Sequence, residues 1–127
     1  MKKKLNLSEV TLLAATSSEV DEAQISMRIS LHNIKFGAAK LLCSSKPKKS
    51  YPDIEYISIP PLNSVDDYNR MIFQDLHKYF NTSHCLIVQA DSFVVNSDLW
   101  KNEFLQFDYI GGPWPNKIKI NPNLILH

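Results

Sequence analysis

The run Val10-Thr11-Leu12-Leu13-Ala14-Ala15-Thr16 is apolar nearly throughout, with none of the alternation that a strand wet on one face shows. A segment of this kind needs cover on both faces, which is the situation of a strand in the middle of a parallel sheet. Parallel neighbours cannot be joined by a tight turn. They require a crossover of a dozen residues or more, so the run commits the chain to further elements in a set order.

Ser17 to Asp21 supply turn and capping residues, and Ala23 to Ile34 carry apolar side chains at 23, 25, 27, 29, 31 and 34. The spacing fits a strand by alternation and a helix by the i,i+4 pairs Ile25/Ile29 and Met27/Leu31. The need for a crossover decides for a helix, ended by Phe36-Gly37 with Gly37 in a left-handed C-terminal position. Ala38 to Cys43 read as a second strand, Ser44 to Pro52 as a polar loop, and Ile54 to Ile59 as a third strand closed by Pro60-Pro61. Ser64 with Asp67 resembles a capping box, and Val65, Tyr68, Ile72, Leu76 and Tyr79 follow at helical spacing. His84 to Gln89 form a fourth buried strand. Ser97 is positioned to cap a short helix carrying Leu99, Trp100 and Phe104, and Tyr109 to Pro115 read as a short strand entering a rigid turn; the tail from Asn116 carries no structural signal.

The pattern predicts an α/β fold, a mostly parallel sheet with helices on both faces, in a single domain over residues 1–127. With 44% hydrophobic and 21% charged residues, the composition is that of a globular chain. Fourteen basic residues against thirteen acidic ones leave a formal charge of +1, too weak a field to argue for nucleic acid or an acidic membrane. Lys2 to Lys4 and Lys46 to Lys49 are short runs without interleaved aromatics, and they read as solvated segments. Cys43 and Cys85 each sit in an apolar run and read as reduced structural thiols. No segment approaches the roughly 20 apolar residues of a membrane helix, and the expected location is cytoplasmic. His32, His77 and His84 have no metal-ligand spacing and read as structural.

In open α/β sheets ligands gather outside the carboxyl ends of the strands. That rule nominates Thr16, Ser17 and Ser18 after the first strand, Ser44 and Ser45 after the second, and Asp91 after the fourth. Asp91 follows a stretch with scarcely a polar atom, so an ionised carboxylate there is expected to be paired, hydrogen-bonded or bound to a cation. The competing reading is a turn residue bonding its own backbone.

His84 to Asp91, with Phe93, Trp100, Glu103-Phe104-Leu105, Asp108-Tyr109-Ile110-Gly111 and Pro113-Trp114 after it, resembles a bacterial and fungal domain-of-unknown-function family assigned to the GT-A-like glycosyltransferases. Val10-Thr11-Leu12 with Thr16, Ile34 to Gly37, Lys40-Leu41-Leu42 and Asp67-Tyr68 extend the likeness upstream, so that it covers about residues 7–115. The resemblance implies a GT-A-like (Rossmann-like) nucleotide-binding half and a nucleotide-sugar donor, with Gln89-Ala90-Asp91 in the place of an Asp-x-Asp motif. Asp91 then matches the acid that holds a divalent ion, Mn²⁺ or Mg²⁺, and Gln89 departs from the first acid, which weakens metal binding. By the same carry-over Thr16 and Ser17 lie near the base or ribose, Ser44 and Ser45 near the nucleoside edge, Arg70 within reach of the diphosphate, and Asp108 and Trp114 on the floor or wall of the sugar pocket. Their plainer readings are loop, cap, solvated helix face and packing.

In that family a Gly-Asn-Gly-Gly-Phe-Ser-Leu-Arg-like segment follows and helps build the acceptor side. It is missing before His127, so the resemblance implies a truncated, donor-binding half for which no catalytic base can be named. Three functions are compatible with this reading. One is a glycosyltransferase-type domain in surface polysaccharide or lipopolysaccharide assembly, with a glycan or lipid-linked acceptor. The second is an inactive nucleotide-binding module. The third is an interaction protein forming a homodimer over its sheet edge and apolar surface.

Overall fold

A computed structural model describes residues 4–108, 118–121 and 124–126. The sequence run that opens the chain is the middle of its sheet. Strand β1 (Leu5–Thr16) is followed by helix α1 (Val20–Asn33), β2 (Ile34–Cys43), β3 (Glu55–Ser58), helix α2 (Val65–Arg70) and β4 (His84–Ile87). The four strands form one sheet in the order β3-β2-β1-β4, all neighbours parallel. The chain is thus a mixed α/β fold in which a parallel sheet is flanked by helices.

Alternate residues of β1 face opposite layers, and both layers are dry. Leu12 and Ala14 join Leu41 and Cys43 of β2 in a core closed by Ala23 and Met27 of α1. Leu13 and Ala15 join Leu42 in a second core closed by Met71 and Leu76. Because side chains alternate with period two, a continuously apolar strand satisfies both layers only when each face is covered. The register is held on both sides, Leu12 opposite Ala39 and Leu86, and Leu13 opposite Lys40 and Ile87.

The first helix is real but displaced, running from Val20 to Asn33, and Ile34 already belongs to β2. Its interior face carries two serines. Ser30 Oγ donates to Ser26 O, Ser26 Oγ donates to Ala90 O at 3.1 Å, and Ser30 Oγ accepts from Val94 N at 3.0 Å. Polar atoms are thereby satisfied inside the core, and the segment after β4 is tied down onto α1.

Gly37 does not cap the helix. It lies within β2, where a Cβ would stand 2.3 Å from Ser8 O and 3.2 Å from Thr82 Cγ2. Beside it the β1–β2 register slips between Leu7 and Thr11, so glycine is required by close backbone approach at a bulge.

The second helix is longer than its α-helical part. Six residues of α2 run into a π-helical turn, Met71–Asp75, and a 3-10 turn, Leu76–Lys78. The capping box forms: Asp67 N donates to Ser64 Oγ, while Asp67 Oδ2 accepts from Asn63 N, one residue before the cap. Val65, expected on the buried face, is 74% exposed, and Met71 is buried in its stead.

After β4, short 3-10 turns occupy Ser97–Leu99 and Asn102–Gln106. The capping side chain of the first is Asn96, whose Oδ1 accepts from Asp98 N, rather than Ser97. His84, read as structural, donates from Nε2 to Phe107 O and so holds the end of this segment. The predicted strand at Tyr109 lies outside the described residues. The tail, which carried no signal, contains an antiparallel pair, β5 (Ile118–Asn121) with β6 (Leu124–Leu126). Among the described residues no helix is long and apolar enough to cross a membrane.

Candidate functional site

Strand order locates the place where a ligand can enter. From β1 the chain steps outward through β2 to β3, then returns across the sheet to lay β4 on the opposite side of β1. Loops leaving β1 and β4 therefore diverge, and a crevice opens between them at the carboxyl ends of the strands. A cleft of about 430 Å³ occupies this position, lined by residues 15–19 after β1, Ala23 of α1, Leu62, Ser64 and Tyr68 around the start of α2, and residues 89–91 after β4.

Local hydrogen bonding shapes each wall. On the β1 side, Glu19 N donates to Thr16 Oγ1 at 3.1 Å, folding the chain into α1, and Leu62 N donates to Ser17 Oγ. On the β4 side, Gln89, Ala90, Asp91 and Ser92 make a turn: Ser92 N donates to Gln89 O at 3.2 Å, and Gln89 N donates to Ser92 Oγ at 3.0 Å. The β4 turn is linked to α2 by Gln89 Nε2, which donates to Tyr68 Oη at 2.8 Å. The turn rests on α1 through the Ser26 hydroxyl.

Five of the nominated residues meet here: Thr16, Ser17, Ser18, Gln89 and Asp91 all line the cleft. Ser44 and Ser45 follow β2 one strand away and do not line it, Arg70 ends α2 on an exposed face, and Asp108 is exposed beyond the last 3-10 turn. Trp114 lies outside the described residues. Asp91 itself is exposed at the tip of the turn. Water can solvate its carboxylate, so the expected demand for a partner to offset burial does not arise; its place in the cleft is what singles it out.

Glu19 and Tyr68 were not nominated. Glu19 stands at the cap of α1 and makes no side-chain cap bond, and its signal was position, two residues beyond Ser17 in the first post-strand turn. Tyr68 is one turn past the Ser64 cap, so its ring was assigned wholly to the helix's apolar face. In chemical terms the cleft offers two carboxylates, Glu19 and Asp91, hydroxyls from Thr16, Ser18 and Ser64, one phenol and one amide, with no basic side chain among its described lining.

No group of three or more His, Cys, Asp or Glu side chains able to hold a metal is present among the described residues. A Mg²⁺ or Mn²⁺ ion delivered with a phosphate ligand needs only one or two protein carboxylates, the remaining oxygens coming from phosphate and water. Asp91 and Glu19 fit that limited donor set; a cage built by protein alone does not.

Residues 52–125 match a family described as a protein of unknown function, DUF5672. The matched stretch includes α2, β4 and the Gln89–Asp91 turn, and leaves out β1 and the Thr16–Glu19 wall. No curated protein and no solved structure matches the chain.

Proposed function

The chain belongs to the DUF5672 family, whose description assigns no activity, and from the cleft we propose that it is a GT-A-like glycosyltransferase-type domain that binds a nucleotide-sugar donor. The observation that carries this reading is the coincidence of the Gln89-Ala90-Asp91 turn with the crevice between β1 and β4. In this reading Asp91 approaches the diphosphate through a divalent ion, Thr16 and Ser18 serve the nucleoside side, and Tyr68 offers a ring face. A bound Mn²⁺ or Mg²⁺ would supply positive charge against the leaving diphosphate. The chain's own groups orient the donor and set the polarity of the cleft. A lining with two acids and no base repels a bare diphosphate, so donor binding is expected to depend strongly on the cation.

A second reading, a nucleotide-binding module that does not transfer sugar, is favoured by one observation. Gln89, neutral where the resemblance implies an acid, donates from its amide nitrogen to Tyr68 Oη.

Thermal unfolding with a panel of nucleoside diphosphates, with and without Mn²⁺, tests both. A ligand at about 100 times its dissociation constant adds about 2.7 kcal/mol, a rise on the order of 10 °C for a domain of this size. The rise should require Mn²⁺ and be lost in Asp91→Ala. No rise with any nucleotide rejects both readings, and release of free sugar from a bound donor separates the first from the second.

A further inference from the structure

The outer face of α1 serves neither the cleft nor the core. Ala23, Ser26, Met27 and Ser30 are buried on the inner side, whereas Glu22, Ile25, Arg28, Ile29 and His32 are exposed and fall in one stripe along the helix. Ile25 is 59% exposed and Ile29 37%, and Val95, at 70%, continues the apolar surface beside them. Between helix and Val95 runs a groove of about 490 Å³ whose lining includes Tyr51 and Val94. Arg28 also lines this groove, where its guanidinium is engaged within the chain, 3.6 Å from the Tyr51 ring centre and 3.9 Å from Asp53 Oδ1. The isoleucines are left accessible.

The stripe is also polar along its length, with Asp21 and Glu22 in the first turn and His32 in the last. A face with acid at one end and base at the other is complementary to itself turned end for end. We propose that a second copy of this chain docks here, α1 against α1 and antiparallel, about a twofold axis level with Met27. Glu22 and His32 are equally far from that level, as are Ile25 and Ile29. The axis therefore brings Glu22 of each copy alongside His32 of the other, and joins the isoleucines at the centre of a self-complementary patch. Antiparallel helix dipoles favour the same arrangement. A helix of this length presents a face only about 21 Å long, so the contact is at the small end of specific interfaces and association depends on concentration.

Sedimentation equilibrium of the full chain, from low micromolar to several hundred micromolar, reads the outcome directly. The weight-average mass should climb from 14.6 kDa toward twice that value. Ile25→Glu with Ile29→Glu should hold it at the monomer mass while the far-UV circular dichroism stays native, since both positions face solvent. Glu22→Lys, which reverses the charge at both symmetry-related contacts, should weaken association by at least roughly tenfold, and Glu22→Lys combined with His32→Glu should recover it. A monomer at every concentration overturns the proposal. So does a dimer untouched by the isoleucine pair, which would point to pairing along a sheet edge, or a charge exchange that fails to restore association.

Discussion

At Gly37 one added methyl group would put a carbon within 2.3 Å of a backbone oxygen that has no room to retreat, because β1 and β2 pair on both sides of it. Gly37→Ala is expected to lower stability toward the upper end of about 1–3 kcal/mol, measured as the shift in urea midpoint. The residue was misread because a glycine that ends a helix and a glycine that admits a neighbouring strand look alike in one dimension; only Ser8, distant in sequence, distinguishes them. Asp91 was legible as a position and misjudged as an environment, since β4, expected to be buried, is an outer strand half-buried along His84–Ile87, and the tip of the turn that follows it is exposed. Both cysteines lie on strands, as their apolar runs imply, Cys43 buried and Cys85 half-buried. Burial pushes the Cys85 thiol up from its ordinary 9.0 to about 11, and raises Cys43 as well. A thiol that holds its proton more tightly when folded stabilises the fold fully below pH 9 and loses that contribution as pH rises through about 11. Cys85 should therefore react with a thiol reagent at pH 8 far more slowly in the native protein than in urea, and Cys85→Ala should flatten the fall in stability between pH 9 and 11.

At the scale of elements, the two serines of α1 tie the segment after β4 to the helix without lining the cleft. Ser30→Ala leaves Val94 N without its acceptor and removes the bond to Ser26 O, for an expected loss of about 1–3 kcal/mol. Because the Gln89–Ser92 turn is steadied through the same helix face, faster amide exchange should be concentrated in residues 90–94, and the Mn²⁺-dependent nucleotide shift should shrink in parallel. Serine in an amphipathic helix is read from sequence as a neutral surface residue, so this coupling was invisible there. Apolar pattern revealed β1, β2, β3, α2 and β4 in their order along the chain, and α1, ambiguous by spacing, followed from the crossover that parallel strands require. Their ends were displaced where tertiary demands overrode local pattern: β1 begins at Leu5 because Leu5 to Leu7 pair with Ile34 to Phe36. The π-helical turn at Met71–Asp75 likewise has no signature in a spacing that suits an ordinary helix.

For the whole molecule, the central strand carries the stability. Leu12 has no exposed surface and packs in the layer under α1, so Leu12→Ala is expected to cost about 3 kcal/mol, seen as a lower urea midpoint with unchanged slope. The crossing from β3 back to β4 creates the crevice, and that much followed from the rule for open sheets once the strand order was known. The order itself was hidden, because an apolar strand announces that it is covered and not which strand lies beside it. A further property comes with this arrangement. β4 is a four-residue outer strand joined to the sheet through β1 alone, a partner far earlier in the chain. Of the two rims of the cleft, one is anchored in the nine-pair ladder between β1 and β2 and the other hangs from a ladder of four pairs. Peeling four residues away would release a ligand while the three remaining strands stay assembled, so the lifetime of a complex is expected to track the fraying of this margin rather than the melting of the fold.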